Sequence, residues 1–150
     1  MTLNWKKGRG KFGIFEPLLG QWRAEAESRM GPVICTRKFA RVLDGAYIQL
    51  NADWEYSNRS FKEIALIGVN PEGKIGFWSF TSDKKQSNGV LADVMDIHPQ
   101  AIGFEAEMPA GLARMAYWPG DVEGFHWVVE SKTKKGWNRF TEHHYLNFPE

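Results

Sequence analysis

The chain has 150 residues, with 19 basic against 18 acidic side chains and a formal net charge of +1. One domain with its own sizeable core is therefore the economical reading, and no global field draws nucleic acid, an anionic membrane or an acidic substrate. The single cysteine, Cys35, excludes an internal disulfide, and no apolar run approaches the roughly twenty residues of a spanning helix.

The chain opens on "MTLNWKKGRGKFG", which lacks the apolar core of a signal peptide. Together with the lone cysteine, this leads us to expect a cytoplasmic protein. Gly8 to Gly13 has the Gly-x-Gly-x-x-Gly spacing of dinucleotide-binding turns. That motif works between a strand and the helix whose N-terminus takes the pyrophosphate, whereas nothing strand-like precedes it here and Pro17 follows. Residues 1–16, with Lys6, Lys7, Arg9 and Lys11, read instead as a flexible basic arm, and a short helical turn around Phe15 to Leu18 is expected to close the base of the domain over 17–150.

"LLGQWRAEAESRM", Leu18 to Met30, fits two templates. At period two, Trp22, Ala24, Ala26 and Ser28 share one face and Arg23, Glu25, Glu27 and Arg29 the other. At helical spacing, Leu18, Trp22, Ala26 and Met30 align, and Arg23 with Glu27 and Glu25 with Arg29 can pair across one turn. The rest of the chain decides between them. Turn signals recur from Asp44-Gly45 through Asn70-Pro71-Glu72-Gly73 and Pro109-Ala110-Gly111 to Lys132–Gly136. Between them lie strand-like runs such as "AYIQLNADWEY", "FKEIALIGV", "KIGFWSF", "LARMAYW", "FHWVVES" and "WNRFTEHHYLNF". Strands joined mainly by short turns imply antiparallel neighbours, and so many in one small domain must curl or close to hide their edges. The expectation is an all-β, antiparallel, up-and-down barrel of eight to ten strands, with the opening stretch as strand one and Trp22 near a closed end. Its aromatic richness suits both strands and the wall of an apolar pocket.

"LLGQWRAEAES", "KFARVLDGAYIQ", "IALIGVNPEGKIGFWSF" and "GWNRFTEHHY" resemble successive blocks of an uncharacterised bacterial lipocalin-like (calycin) family. That family carries a Trp start, an Arg-Val-Leu-Gly-Gly-like turn, a Gly-Tyr-Asp-Pro-like hairpin and a last strand with spaced Trp, Glu and Tyr. Asp44 stands for the first glycine of the turn, and Val69-Asn70 for the Tyr-Asp of the hairpin. The resemblance implies a lipocalin-like barrel with a small-molecule cavity and no particular chemistry. In such a barrel, Ala24, Ala26 and Ser28 would leave the interior open beside them.

The function expected is binding or carriage of a small, mostly apolar molecule, with Trp54, Trp78 and Phe80 as wall residues and Glu142 and His144 as further ligand-binding residues, no nucleic-acid or membrane partner, and room for a homodimer. Trp78 and Phe80 share a strand face, which would be plain core if no cavity is present. One alternative is a small-molecule isomerase or hydrolase built on Glu142 and His144, which leave one strand face together and, inside a dry barrel, would shift each other's pKa. Against it stands an outward-facing pair, with Trp137, Thr141 and Tyr145 pointing in. A haem-binding barrel with one axial His, suggested by the similarity of "PLLGQWRAEAE" to the start of a haem-binding lipocalin-like family, and a structural or assembly role are the remaining alternatives. His143 and His144, adjacent on a strand, cannot chelate one metal ion together; no metal and no cofactor are assigned. Cys35 reads as a small packed residue. Arg37 and Arg41 share a face with Phe39 and would receive a ligand carboxylate if that face were interior; the reading preferred puts Thr36, Ala40 and Val42 inside and both arginines in solvent.

Overall fold

The computed structural model describes residues 5–148. Ten antiparallel strands run β1 Gly20–Ser28, β2 Gly31–Val42, β3 Tyr47–Glu55, β4 Ser60–Val69, β5 Ile75–Thr81, β6 Gln86–Ala92, β7 Ile102–Met108, β8 Gly111–Pro119, β9 Phe125–Thr133 and β10 Gly136–Asn147. Each pairs with its sequence neighbours, and β10 returns to β1, so the sheet closes into an up-and-down barrel, an architecture consistent with a lipocalin-like fold. Among the described residues no helix is long and apolar enough to cross a membrane.

The opening stretch resolves as a strand. From Gly20 to Ser28 it pairs residue for residue with β2, from Gly20 opposite Phe39 to Ser28 opposite Gly31. Trp22 and Ala24 are buried while Glu25 is exposed, the period-two pattern. Closure of a barrel leaves no free edge, and that gain outweighs the few tenths of a kcal/mol that helical charge pairs would offer. The β1–β10 seam is short by contrast, with Trp22 opposite Asn147 and Arg23 opposite Leu146.

A 3₁₀ helix, Gly13–Leu18, covers one end of the barrel. Phe15 and Leu18 are fully buried there, Trp22 Nε1 donates to the Leu18 carbonyl at 2.8 Å, and Arg41 ties the helix down through Glu16 at 2.8 Å. Trp5, Phe12 and Ile14 also pack against the core; residues 1–4 of the expected arm lie outside the described residues.

Two local devices decide which side chains face inward. Gly89 on β6 would place a Cβ 2.3 Å from the Glu105 carbonyl oxygen and 2.6 Å from the Phe77 ring, so only glycine lets β6 close on β7 beneath that ring. In β10 the register slips between Arg139 and Thr141, a bulge at Phe140. Past the bulge, alternation restarts with the opposite sense. Trp137 is thereby turned outward, unlike the alternative weighed from sequence that put it inside with Thr141 and Tyr145, and meets Arg114 at 4.1 Å. The long β6–β7 connection folds over the outer surface, burying Val94 against Ala116 and Val128, and Asp96 reaches Arg114 at 2.8 Å.

Candidate functional site

The inner face of β2 is Val33, Cys35, Arg37 and Phe39, all buried, while Ile34 and Lys38 are exposed. This reverses the orientation preferred from sequence for Arg37. The face carrying three apolar or weakly polar neighbours goes in, because burying Val33, Cys35 and Phe39 recovers more apolar area than burying Thr36 and Ala40 would. Arg41 lies at the barrel end and remains exposed in its pair with Glu16.

Arg37 is 2 % exposed. Its Nη1 donates to the Tyr117 hydroxyl at 2.8 Å and its Nε to the Tyr145 hydroxyl at 3.2 Å. The guanidinium carbon stands 4.1 Å from the Trp127 ring centroid and 5.8 Å from that of Trp54, an aromatic enclosure that suits a desolvated cation. No carboxylate forms an ion pair with Arg37 among the described residues. Burial favours loss of its proton, yet the phenol oxygens of Tyr117 and Tyr145 and the more distant Glu63 carboxylate outweigh that effect and hold its pKa above the ordinary value. It stays charged.

The groups around the cation stay neutral at physiological pH. Burial pushes the Tyr117 phenol up to about 12 against the pull of Arg37, and raises Tyr145 likewise. The Cys35 thiol is pushed up to about 11 by burial, so it is not a thiolate nucleophile. His143 is pushed down to about 4, first by burial and then by Arg37. Its Nδ1 lies 3.1 Å from the Tyr145 hydroxyl, which accepts from Arg37 and can donate its own proton to the imidazole. Trp127 Nε1 is near enough to the Tyr117 oxygen to favour its charged form slightly, but it is buried without a partner at hydrogen-bond geometry.

Beyond this cluster the barrel is hollow. A cavity of about 420 Å³ opens at the β7–β8 turn, walled by Phe77, Phe104, Ala106, Met108, Met115, Val129 and Phe140, with Glu63 among its polar residues. Its volume lies within the roughly 300–1,000 Å³ typical of small-molecule sites. A deeper chamber of about 40 Å³, lined by Arg37, Tyr117 and Trp127, adjoins it. Glu63, Phe77, Phe104 and Met115 wall both compartments. Glu63 accepts a hydrogen bond from the buried Ser79 hydroxyl across the β4–β5 pair.

Of the residues singled out from sequence, Trp54 faces inward, half-buried, beside Arg37 and edge-on to Phe61 with ring centroids 5.1 Å apart. Trp78 and Phe80 do share a face, but it is the outer one: their neighbours Phe77 and Ser79 are buried, and Phe80 is 50 % exposed. Glu142 and His144 also share the outer face. Glu142 is solvent-exposed and pairs with Arg139 at 3.4 Å, and His144 stacks on His126 at 4.7 Å and bonds the Glu123 carbonyl oxygen. They are not an apolar-flanked acid and base inside the barrel. Tyr145 and His143 occupy the inward positions of β10 instead. Neither Ala24, Ala26 nor Ser28 lines the cavity; Cys35, paired with Ala24 on one side and Trp54 on the other, belongs to the packed side of the barrel. Among the described residues no group of three or more His, Cys, Asp or Glu gathers to hold a metal ion.

Sequence reasoning weighed Arg37 but preferred it in solvent, considered His143 only as a metal ligand, and did not single out Tyr117, Trp127 or Glu63. A signal for Arg37 was present, since Val33, Cys35 and Phe39 alternate with it and make the more apolar face of "VICTRKF". Comparison with protein families finds no family model that matches the chain, and no curated protein matches it.

Proposed function

We propose that the protein is a lipocalin-like binding barrel that holds or carries a small, mostly apolar molecule. The observation that carries this reading is the cavity of about 420 Å³, open at one end and apolar over most of its wall, in a barrel whose other end is shut by Phe15 and Leu18. A fold built only for stability gains from filling such a space, because interior voids forfeit dispersion contacts. The lone cysteine, buried and protonated, supports a reducing, cytoplasmic setting, and the bacterial assignment rests on the sequence resemblance alone.

Native mass spectrometry of protein purified without added ligand tests the reading, with Ala113→Trp, which fills the mouth of the cavity, as the control. The expected result is a bound small molecule on the wild type that the variant lacks. At a hundred times its Kd a ligand adds about 2.7 kcal/mol of stability, a rise in Tm of about 5–10 °C for a chain of this size. A clean apo mass together with no thermal shift across a lipid and metabolite panel would sink the proposal.

A further inference from the structure

The two compartments contain one cation and one anion that do not meet. Arg37 lines the deep chamber, and Glu63, the only acidic residue among the described residues lining either compartment, lines both. Arg114 also borders the mouth, but its guanidinium is engaged by Glu130 and Asp96.

Around the deep chamber, hydrogen-bond donors outnumber acceptors. A guanidinium has five N–H groups, and hydrogen bonds to tyrosine oxygens come from Arg37 Nε and Nη1 only. The Tyr117 oxygen accepts from Arg37, leaving its own proton to donate. Trp127 Nε1 lies near the Tyr117 oxygen but reaches no acceptor at hydrogen-bond geometry, and a poorly paired buried donor costs free energy that a ligand acceptor would recover in part. The one charged acceptor facing them is Glu63.

Size and charge then select the head. One buried water needs roughly 10–15 Å³ of such space, so a chamber of about 40 Å³ holds about three non-hydrogen atoms. A carboxylate and a carboxamide both fit that size. An ionised carboxylate would satisfy Arg37 only by being desolvated close to Glu63, a like charge in a low-dielectric space. A neutral head with its negative end at Arg37 and its positive end at Glu63 is stabilised by both charges and pairs donors with acceptors throughout.

We infer that the ligand ends in a net-neutral head carrying an acceptor and a donor side by side, of the primary carboxamide type. Its C=O oxygen accepts from Arg37, Tyr117 and Trp127, and its N–H donates to Glu63. The apolar body fills the outer compartment. This inference rests on the binding-barrel reading and deepens it.

Decanamide and decanoate share a tail and a head size and differ in charge, so they serve as probes, titrated at pH 7.5 by tryptophan fluorescence and calorimetry. Wild-type protein is expected to bind decanamide at least tenfold more tightly than decanoate. Glu63→Gln, which removes the charge and keeps the shape, is expected to improve decanoate binding at least tenfold and reverse the preference. Decanoate binding as tightly as decanamide to the wild type overturns the inference, as does an unchanged ratio in folded Glu63→Gln protein; in both cases the cavity reading stands. Failure of both probes to bind overturns the inference together with the cavity reading for molecules of this size.

Discussion

His143 makes the barrel interior sensitive to acid. Its imidazole is 7 % exposed, lies against Trp127 at a centroid distance of 5.2 Å, and shares the interior with the Arg37 guanidinium; burial and that positive charge lower its pKa from 6.5 to about 4. The unfolded chain therefore takes up a proton near pH 6.5, and the folded protein resists doing so until about pH 4. The folded-state pKa is depressed, so the contribution to stability is complete above pH 6.5 and is lost as the pH falls toward 4. Each tenfold difference in proton affinity between the folded and unfolded chain is worth about 1.36 kcal/mol, so the full loss is about 3 kcal/mol, of which about 2 kcal/mol falls between pH 7 and 5. Urea unfolding at pH 7 and at pH 5 measures it, with His143→Gln as the reference that keeps a partner for Tyr145 and cannot titrate. With a slope of about 2 kcal/mol/M, the wild-type midpoint should drop about 1 M further than the variant's over that interval. Equal drops in the two proteins, or an NMR titration of His143 near 6.5, would refute the reasoning. Arg37→Met removes the second cause of the depression and should move the His143 pKa part of the way back toward its ordinary value.

Leu43 has φ 53°, in the left-handed region, and is 67 % exposed, so its side chain returns little for the backbone strain; Leu43→Asn is expected to stabilise the protein by about 0.5–1 kcal/mol in chemical denaturation. On the outer face Glu130 is held between Arg114 at 2.8 Å and Arg139 at 2.9 Å. Arg114→Ala leaves a buried carboxylate short of its partner and should cost about 3 kcal/mol, whereas Arg114→Leu with Glu130→Leu should recover most of that loss in the same urea assay. If the double variant is no more stable than Arg114→Ala, the cost lies in packing against Trp137 rather than in the unpaired charge.

The sequence by itself determined the architecture, because turn spacing and period-two runs are local properties that each stretch of chain carries with it. Closure followed from the number of strands and the cost of open edges. Even the ambiguous opening stretch could be assigned from its neighbours, since a barrel needs Gly20–Ser28 as a strand to join β10 to β2. Facing was less legible. Whether Arg37 or Thr36 points inward depends on which face of β2 recovers more apolar area against strands far away in sequence, and one residue of slip inverts every choice. The bulge at Phe140 performs such an inversion within a single strand: Thr141 and Tyr145 face inward while Trp137, of the same parity in sequence, faces out, so alternation alone could not assign the strand. The outer faces of β4 and β5 present a further obstacle: Ile64, Trp78 and Phe80 are apolar yet lie outside, while Glu63 and Ser79 lie inside beside the buried Ala65, Ile67 and Phe77, so residue polarity alone gives both strands a mixed signal. Only tertiary structure brought Arg37, Tyr117, Trp127, Tyr145 and Glu63 to one interior from β2, β8, β9, β10 and β4. The charged centre of this barrel is a long-range arrangement, and no short motif in the chain encodes it.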